Sequence, residues 1–314
     1  MAGSVPTNGP RKTRIAVLGG GCGAMAAAFE LTATPELREQ YEVTVYQAGW
    51  RLGGKGASGR NLALGGRIEE HGLHMWMGFY ENAFRAMRSC YAEWAKQPDN
   101  PFQSWRDAFK PQRRITLQEN VGGADPWLTW NIDCPRMPGK PGDRHVLTPV
   151  ELLAALIRWL SDQLKGRPDL PYDNAIGLLE SAHAQVKLLP CETPEHSPEA
   201  HRRLRASVHS AREEFRRAPP AQLGDNEHRR LQTLADLGLA VAKGFIEDVL
   251  PHGRAGFDHL NGQEFRAWLR SHGAHPDTTW SAPIRALYDL GFSFVEGASA
   301  SADNAQVAAG IALR

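Results

Sequence analysis

RIAVLGGGCGAMAAAFELTATPELREQYEVTVYQAGWRLGGK, residues 14–55, decides the fold. Ile15, Val17 and Leu18 form a short apolar run that stops at glycine, as a buried parallel strand does. Gly19, Gly21 and Ala24 then fall at the spacing of the dinucleotide fingerprint, with Ala at its third position. Each has a physical task. Gly19 permits the tight turn, Gly21 lacks the Cβ that would keep a pyrophosphate off the backbone, and Ala24 lets the helix pack closely on the strand. Residues 24–31 are strong helix formers whose N-terminus offers free N–H groups and a positive dipole end. Gly19, Gly21, Cys22, Gly23 and Ala24 are therefore candidate phosphate contacts. Pro35 is expected to mark the end of this helix. Residues 42–47, EVTVYQ, alternate and are β-branched, so they are read as the second strand.

At the end of this strand an acidic residue ordinarily holds the ribose hydroxyls. Here the residue is Gln47, which can bond through its amide oxygen but brings no charge. With Arg51 nearby, a 2′-phosphate and hence an NADP-linked reductase stays an open alternative. A second glycine turn, Gly53-Gly54, follows between Arg51 and Lys55.

Composition bounds the class. The 314 residues suffice for two domains, 42% are hydrophobic and 23% charged, and the net charge is +1, which favours neither nucleic acid nor an acidic partner. Cys22, Cys90, Cys134 and Cys191 are scattered without a CxxC pair, as expected of reduced thiols in a cytoplasmic protein. Residues 1–12 are read as a disordered tail. No uninterrupted apolar stretch is long enough to span a membrane.

The segment from Gln47 to Lys55 resembles the one that follows the second strand in FAD enzymes of the amine oxidase and carotenoid desaturase superfamily. Further on, EHGLHMWMGFYENAF (residues 70–84) resembles the GLH-x-x-x-G-x-Y-x-N segment of phytoene and ζ-carotene desaturases. The resemblance implies an α/β fold: a Rossmann-type, GR2-like FAD-binding domain over residues 13–96 with a largely helical, incomplete substrate domain over 97–314. It also implies that FAD contacts Gln47, Ala48, Arg51, Gly53, Gly54, Lys55, Gly72, Leu73, His74, Met75 and Tyr80. His71 and His74 form an HxxH pair, but without a third ligand no metal is expected. No catalytic residue is assigned.

Downstream, residues 82–96 have helical spacing (Phe84, Met87, Tyr91, Trp94), and residues 127–132 are read as a strand whose two tryptophans line either a core or a cavity. Helices dominate after Thr148, which can cap a helix over 150–164 with Pro149 at its first position. Residues 166–197 are read as loop with short helix, 198–217 as a basic helix with a solvated or membrane-surface face, and 227–250 as one long helix. GQEFRAWLRSHGAHPDTTWSAPIRALYDLGFSF (262–294) again resembles the desaturase substrate domain, with helices at 263–270 and 281–290. Nothing in residues 274–314 resembles the glycine-rich return segment of that family. The expectation is an FAD-dependent oxidoreductase taking hydride from carbon, or from carbon next to nitrogen, of an apolar or amine-bearing substrate. It would be a fragment or one half of a split enzyme completed by a second protein chain, cytoplasmic, with a membrane-peripheral placement as the variant. The alternative is a non-catalytic nucleotide-fold subunit of a hetero-oligomer.

Overall fold

The computed structural model describes residues 11–314 apart from 71, 73, 121, 123–126, 136, 138, 144, 145, 191–197, 220–224, 292 and 298–303. Most of the expected N-terminal tail, together with His71, Leu73 and Cys191, thus lies outside the described residues. The chain divides into two compact units, Met1–Ala108 with Lys140–His145, and Phe109–Gly139 with Val146–Arg314.

The first unit opens with strand β1 (Thr13–Leu18), helices α1 (Cys22–Leu31) and α2 (Pro35–Gln40), and strand β2 (Tyr41–Tyr46). β1 and β2 pair in parallel, from Thr13 opposite Tyr41 to Leu18 opposite Tyr46. The strand–glycine–helix–strand reading holds, with one difference. Pro35 does not stop α1, which already ends at Leu31; it starts α2, because Thr34 Oγ1 accepts the Leu37 N–H at 3.3 Å and proline suits the first position of a helix. A short antiparallel pair follows, β3 (Gly59–Asn61) with β4 (Arg67–Glu69), then α3 (Glu81–Trp94) and the short α4 (Trp105–Ala108). Phe84 of α3 is the one fully buried apolar side chain among this unit's described residues, packed edge-on between Trp76 and Trp105. Leu18, Trp50, Leu62 and Phe79 are 81%, 91%, 85% and 69% exposed. A two-stranded parallel sheet ordinarily needs cover on both faces, so this unit leaves much apolar surface uncovered.

The second unit holds the core. Its hairpin, β5 (Arg114–Asn120) and β6 (Trp127–Asp133), pairs antiparallel. Trp130 is buried and donates its indole N–H to Glu119 at 2.9 Å, whereas Trp127 is 56% exposed. Of the two expected tryptophans, then, one is core and one faces out. The helices are α5 (Pro149–Lys165), α6 (Asp173–Lys187), α7 (Pro198–Arg217), α8 (Asn226–Gly244), α9 (Ala255–His259), α10 (Phe265–Ser271), α11 (Pro276–Thr279), α12 (Ala282–Leu290) and α13 (Ala309–Leu313). α5 starts as expected, with Thr148 and Glu151 bonding reciprocally in a capping box and Pro149 at its first position. It buries Leu153, Ile157, Leu160 and Leu164 against the rest of the bundle.

Two segments depart from the reading. Residues 166–197 include a 15-residue helix, α6, rather than only short helix, because Ala175, Leu179, Ala182 and Val186 give it an inward stripe between flanking prolines. The long helix expected over 227–250 is regular only to Gly244. It then widens into a π turn over Phe245–Val249 and tightens at Leu250–His252. The basic stretch is α7: Leu204, Val208, Ala211 and Phe215 are buried in the bundle, while Arg203, Arg205, Arg216 and Arg217 pair with Glu199, Glu247, Glu213 and Glu214. Among the described residues no helix is long and apolar enough to cross a membrane.

The π turn directs Asp248 inward, where its carboxylate accepts the Trp268 indole N–H at 2.8 Å and faces His272 Nε2 at 2.9 Å. Burial pushes the His272 imidazole below its ordinary value of 6.5, with Lys243 and Arg212 adding to the effect and Asp248 and Glu247 opposing it. The folded state therefore prefers the neutral ring, and the unfolded chain takes up the proton first as pH falls. Stability should be complete above the unfolded value and decline as pH drops through the lowered, folded one. Urea midpoints measured at several pH values between neutral and mildly acidic should show this decline, and His272→Gln should flatten it. A midpoint that is independent of pH in the unaltered protein would contradict the assignment.

Candidate functional site

The site is built where two glycine turns meet. β1 ends at Leu18, and Gly19 takes a left-handed conformation (φ +95°) to turn the chain sharply, its N–H bonding Tyr46 C=O at 2.7 Å. Gly21 is extended and precedes α1, whose first helical hydrogen bond runs from Met25 N–H to Gly21 C=O. The N–H groups of Cys22, Gly23 and Ala24 come before that bond and belong to the set a helix cannot satisfy internally. No acidic residue stands in this first turn, and Gly21 makes no side-chain cap. The end of α1 is thus suited to an anion.

The second turn packs against the first. Gly53 N–H donates to Gly20 C=O at 2.7 Å, and Gly21 and Gly53 bridge in parallel. Gly53 and Gly54 both have positive φ, and a Cβ on Gly54 would lie 3.0 Å from Gly21 Cα. Only glycine permits this approach. The Cys22 thiol donates to Gly53 C=O at 3.5 Å, adding a side-chain tie across the turns.

A Cβ added at Gly21 would meet nothing within 4 Å. The backbone there faces open space although the residue belongs to a tight double turn. Space beside bare backbone at a helix N-terminus is what a pyrophosphate requires, so these residues fit a dinucleotide.

Gln47 follows β2 directly and folds toward this turn, since a Cβ on Gly20 would meet its Oε1 at 2.8 Å. Its Nε2 donates to Arg51 C=O at 3.4 Å, leaving the carbonyl end as an acceptor near the first turn. Arg51 is committed elsewhere. Its guanidinium donates to Ser58 C=O and to Ala57 C=O, the latter at 3.4 Å, which pins the loop after the second turn. Ala48 is exposed beside Gln47.

His74 reaches the same place from the other side, with Nε2 3.0 Å from the carbonyl oxygen of Lys55 and Nδ1 against the Glu70 carboxylate. Glu70 also accepts the Ser58 hydroxyl. The structure therefore brings together Gly19, Gly21, Cys22, Gly23, Ala24, Gln47, Arg51, Gly53, Gly54, Lys55 and His74. Gly72 is exposed, Met75 is 38% exposed and Tyr80, just ahead of α3, is 43% exposed. Leu73 lies outside the described residues. Reading the sequence missed Gly20, Ser58 and Glu70. Gly20 was visible as the middle of three glycines, whereas Ser58 and Glu70 owe their places to the path of β3 and β4.

Comparison with known proteins agrees with this geometry. Residues 17–90 match the NAD(P)-binding Rossmann-like domain family, which places the N-terminal region in the Rossmann class. Within that class the region is similar to two zeta-carotene desaturases. It is 37% identical over 89 residues to the zeta-carotene desaturase of Arabidopsis thaliana, a match covering 28% of this chain and 14% of that protein. It is 36% identical over 82 residues to the zeta-carotene desaturase of Capsicum annuum, covering 26% and 13%. The chain thus matches about one seventh of the length of these relatives. No solved structure matches it.

Proposed function

We propose that this chain is the FAD-binding part of an oxidoreductase of the carotenoid desaturase and amine oxidase type, acting on an apolar or amine-bearing substrate. The observation that carries the reading is the contact between the two glycine turns, Gly53 N–H to Gly20 C=O, beside open space at Gly21. Gly21 and the first-turn N–H groups of α1 would hold the pyrophosphate, Gln47 the adenosine ribose, and the Gly53–Lys55 turn the chain that continues from it. Bound FAD would supply the two-electron oxidation by accepting a hydride from carbon. The commitment of Arg51 to the Ser58 and Ala57 carbonyls weighs against a 2′-phosphate and so against NADP.

The exposed apolar side chains of the first unit support a further element of the proposal: a second polypeptide segment covers this unit and completes the substrate cavity. Surfaces of this kind mark interaction sites. The neutral Gln47 favours one alternative, a subunit that keeps the nucleotide fold without turning over.

The test is titration of the purified chain with FAD, NAD and NADP, followed by desalting and an absorbance spectrum. FAD should be retained with its visible bands and bind at least tenfold tighter than NADP. Binding of NADP in preference to FAD, or of none of the three, would remove the proposal. Retained FAD that no desaturase or amine oxidase substrate reduces, even with lysate-derived partners restored, would favour the non-catalytic alternative.

A further inference from the structure

Arg158, Ser161 and Lys165 stand three and four residues apart on α5 and so share one face of that helix; Glu180, His183 and Lys187 share one face of α6 in the same way. The first three meet Glu180 and His183 around a cleft of about 280 Å³ within the second unit. Ser161 forms its floor. It is 3% exposed, and its hydroxyl has no hydrogen-bond partner among the described residues. A serine in mid-helix ordinarily turns its hydroxyl to solvent or to the carbonyl four residues back, and this one does neither. A buried donor left unpaired costs free energy, so the hydroxyl calls for a partner in the cleft.

The rim is electropositive. The Arg158 side chain is 66% exposed and its Nε lies 3.5 Å from the Asp162 carboxylate, while no hydrogen bond engages the two ends of its fork among the described residues. Lys165 bonds Glu180 across the cleft and so holds that carboxyl below the usual carboxylate range, with the charge of Arg158 adding to the effect. Burial pushes the His183 imidazole below its ordinary value of 6.5, with Arg158 and Lys187 adding to this and Asp162 opposing it. Around the cleft Arg158, Lys165 and Lys187 outnumber Asp162 and Glu180 by a single charge.

We propose that the cleft between α5 and α6 binds a small molecule through its carboxylate. The Arg158 fork would take the two oxygens, a planar match that lysine does not offer, and the Ser161 hydroxyl would donate from the floor. One surplus positive charge balances a monocarboxylate but not a phosphate monoester, which carries nearly two negative charges. The volume lies just under the roughly 300 Å³ at which ligand pockets begin, which limits the occupant to a small acid. The site shares no residue with the nucleotide cradle and stands whether or not FAD binds there.

The test uses the full chain and two probes, sodium acetate and sodium benzoate, with ionic strength held constant by sodium chloride. Binding is read from the Ser161 amide and the His183 ring in nitrogen-15 spectra. At least one probe should saturate both signals with a Kd on the order of 1 mM, within reach of a ligand of so few atoms. Arg158→Gln should weaken it at least about tenfold and Ser161→Ala about fivefold, the scales of one charge-assisted and one ordinary hydrogen bond. Without probe, Ser161→Ala should melt at or above the temperature of the unaltered protein, because no described residue bonds the hydroxyl. A fall of more than about 2 °C would show that the hydroxyl is already satisfied inside the protein and overturns the proposal. Shifts that are absent, or that grow linearly and match those of sodium chloride alone, overturn it as well. So does inorganic phosphate that binds more tightly than both carboxylates at the same ionic strength, since the charge balance would then be wrong.

Discussion

Trp268→Ala is expected to destabilise the helical unit by about 3–5 kcal/mol, the cost of removing a large aromatic side chain from a packed core. Trp268 is 1% exposed, stacks on Phe265 at 6.2 Å and lies 4.6 Å from the His272 ring. Its indole presses on the backbone where α8 gives way to the π turn, and a Cβ on Gly244 would come within 2.1 Å of it. The lost atoms touch rigid helix on several sides, so the site cannot readily collapse around the void. The hydrogen bond to Asp248 is the lesser part of the effect. That carboxylate keeps His272 Nε2 at 2.9 Å, so it is not left bare, and the bond itself contributes about 1 kcal/mol. Trp268→Phe, which keeps a ring and loses the bond, should therefore cost about 1–2 kcal/mol. Urea unfolding followed by far-UV circular dichroism measures both. Equal losses in the two variants would mean that the polar contact, rather than packing, holds this corner.

The fold was legible in the sequence where a residue type has only one physical use. Glycines at 19, 21, 53 and 54 stand where the backbone turns left-handed or approaches another backbone, and the two turns were readable for that reason. Thr148, Pro149 and Glu151 were legible as a helix start because capping is local chemistry. Pro35 misled because the same residue ends one helix and opens another, and only the Thr34 cap separates the cases. The π turn after Gly244 was not legible at all. The side chains that close on the glycine before it, Trp268 and His272, come from more than twenty residues away.

The candidate site divides along the same line. Gln47 was found by its distance from the fingerprint, a fixed property of the β–α–β unit. Arg51 was read as a partner for negative charge from its own charge and from the family segment it resembles, and the local path of residues 57 and 58 engages its donors. His74 was singled out through family resemblance, yet its pairing with Glu70 and the Lys55 carbonyl arises from the β3–β4 hairpin folding back on the turn. A four-residue spacing signals contact on a helix, and this segment is not one.

Gly21→Val should abolish nucleotide binding and leave the fold nearly unchanged, a combination that separates a ligand site from a structural glycine. The residue has φ −72° and ψ 172°, an extended conformation that valine adopts readily. Its Cβ would meet no protein atom within 4 Å, so unfolding free energy should shift by no more than about 0.5 kcal/mol. The branched side chain would instead fill the space beside the N–H groups of Cys22 and Gly23. Charge-assisted hydrogen bonds of that kind contribute about 1.5–3 kcal/mol each, so losing one or two should weaken FAD by at least about 100-fold. Gly54→Val supplies the contrast. There φ is +57° and the new Cβ would lie 3.0 Å from Gly21 Cα, backbone against backbone, so both binding and the local turn should suffer. Fluorescence titration with FAD and urea unfolding on the two proteins distinguish the cases. Wild-type affinity in Gly21→Val would place the pyrophosphate somewhere other than the end of α1, and the roles given to Gln47, Lys55 and the double glycine turn would go with it.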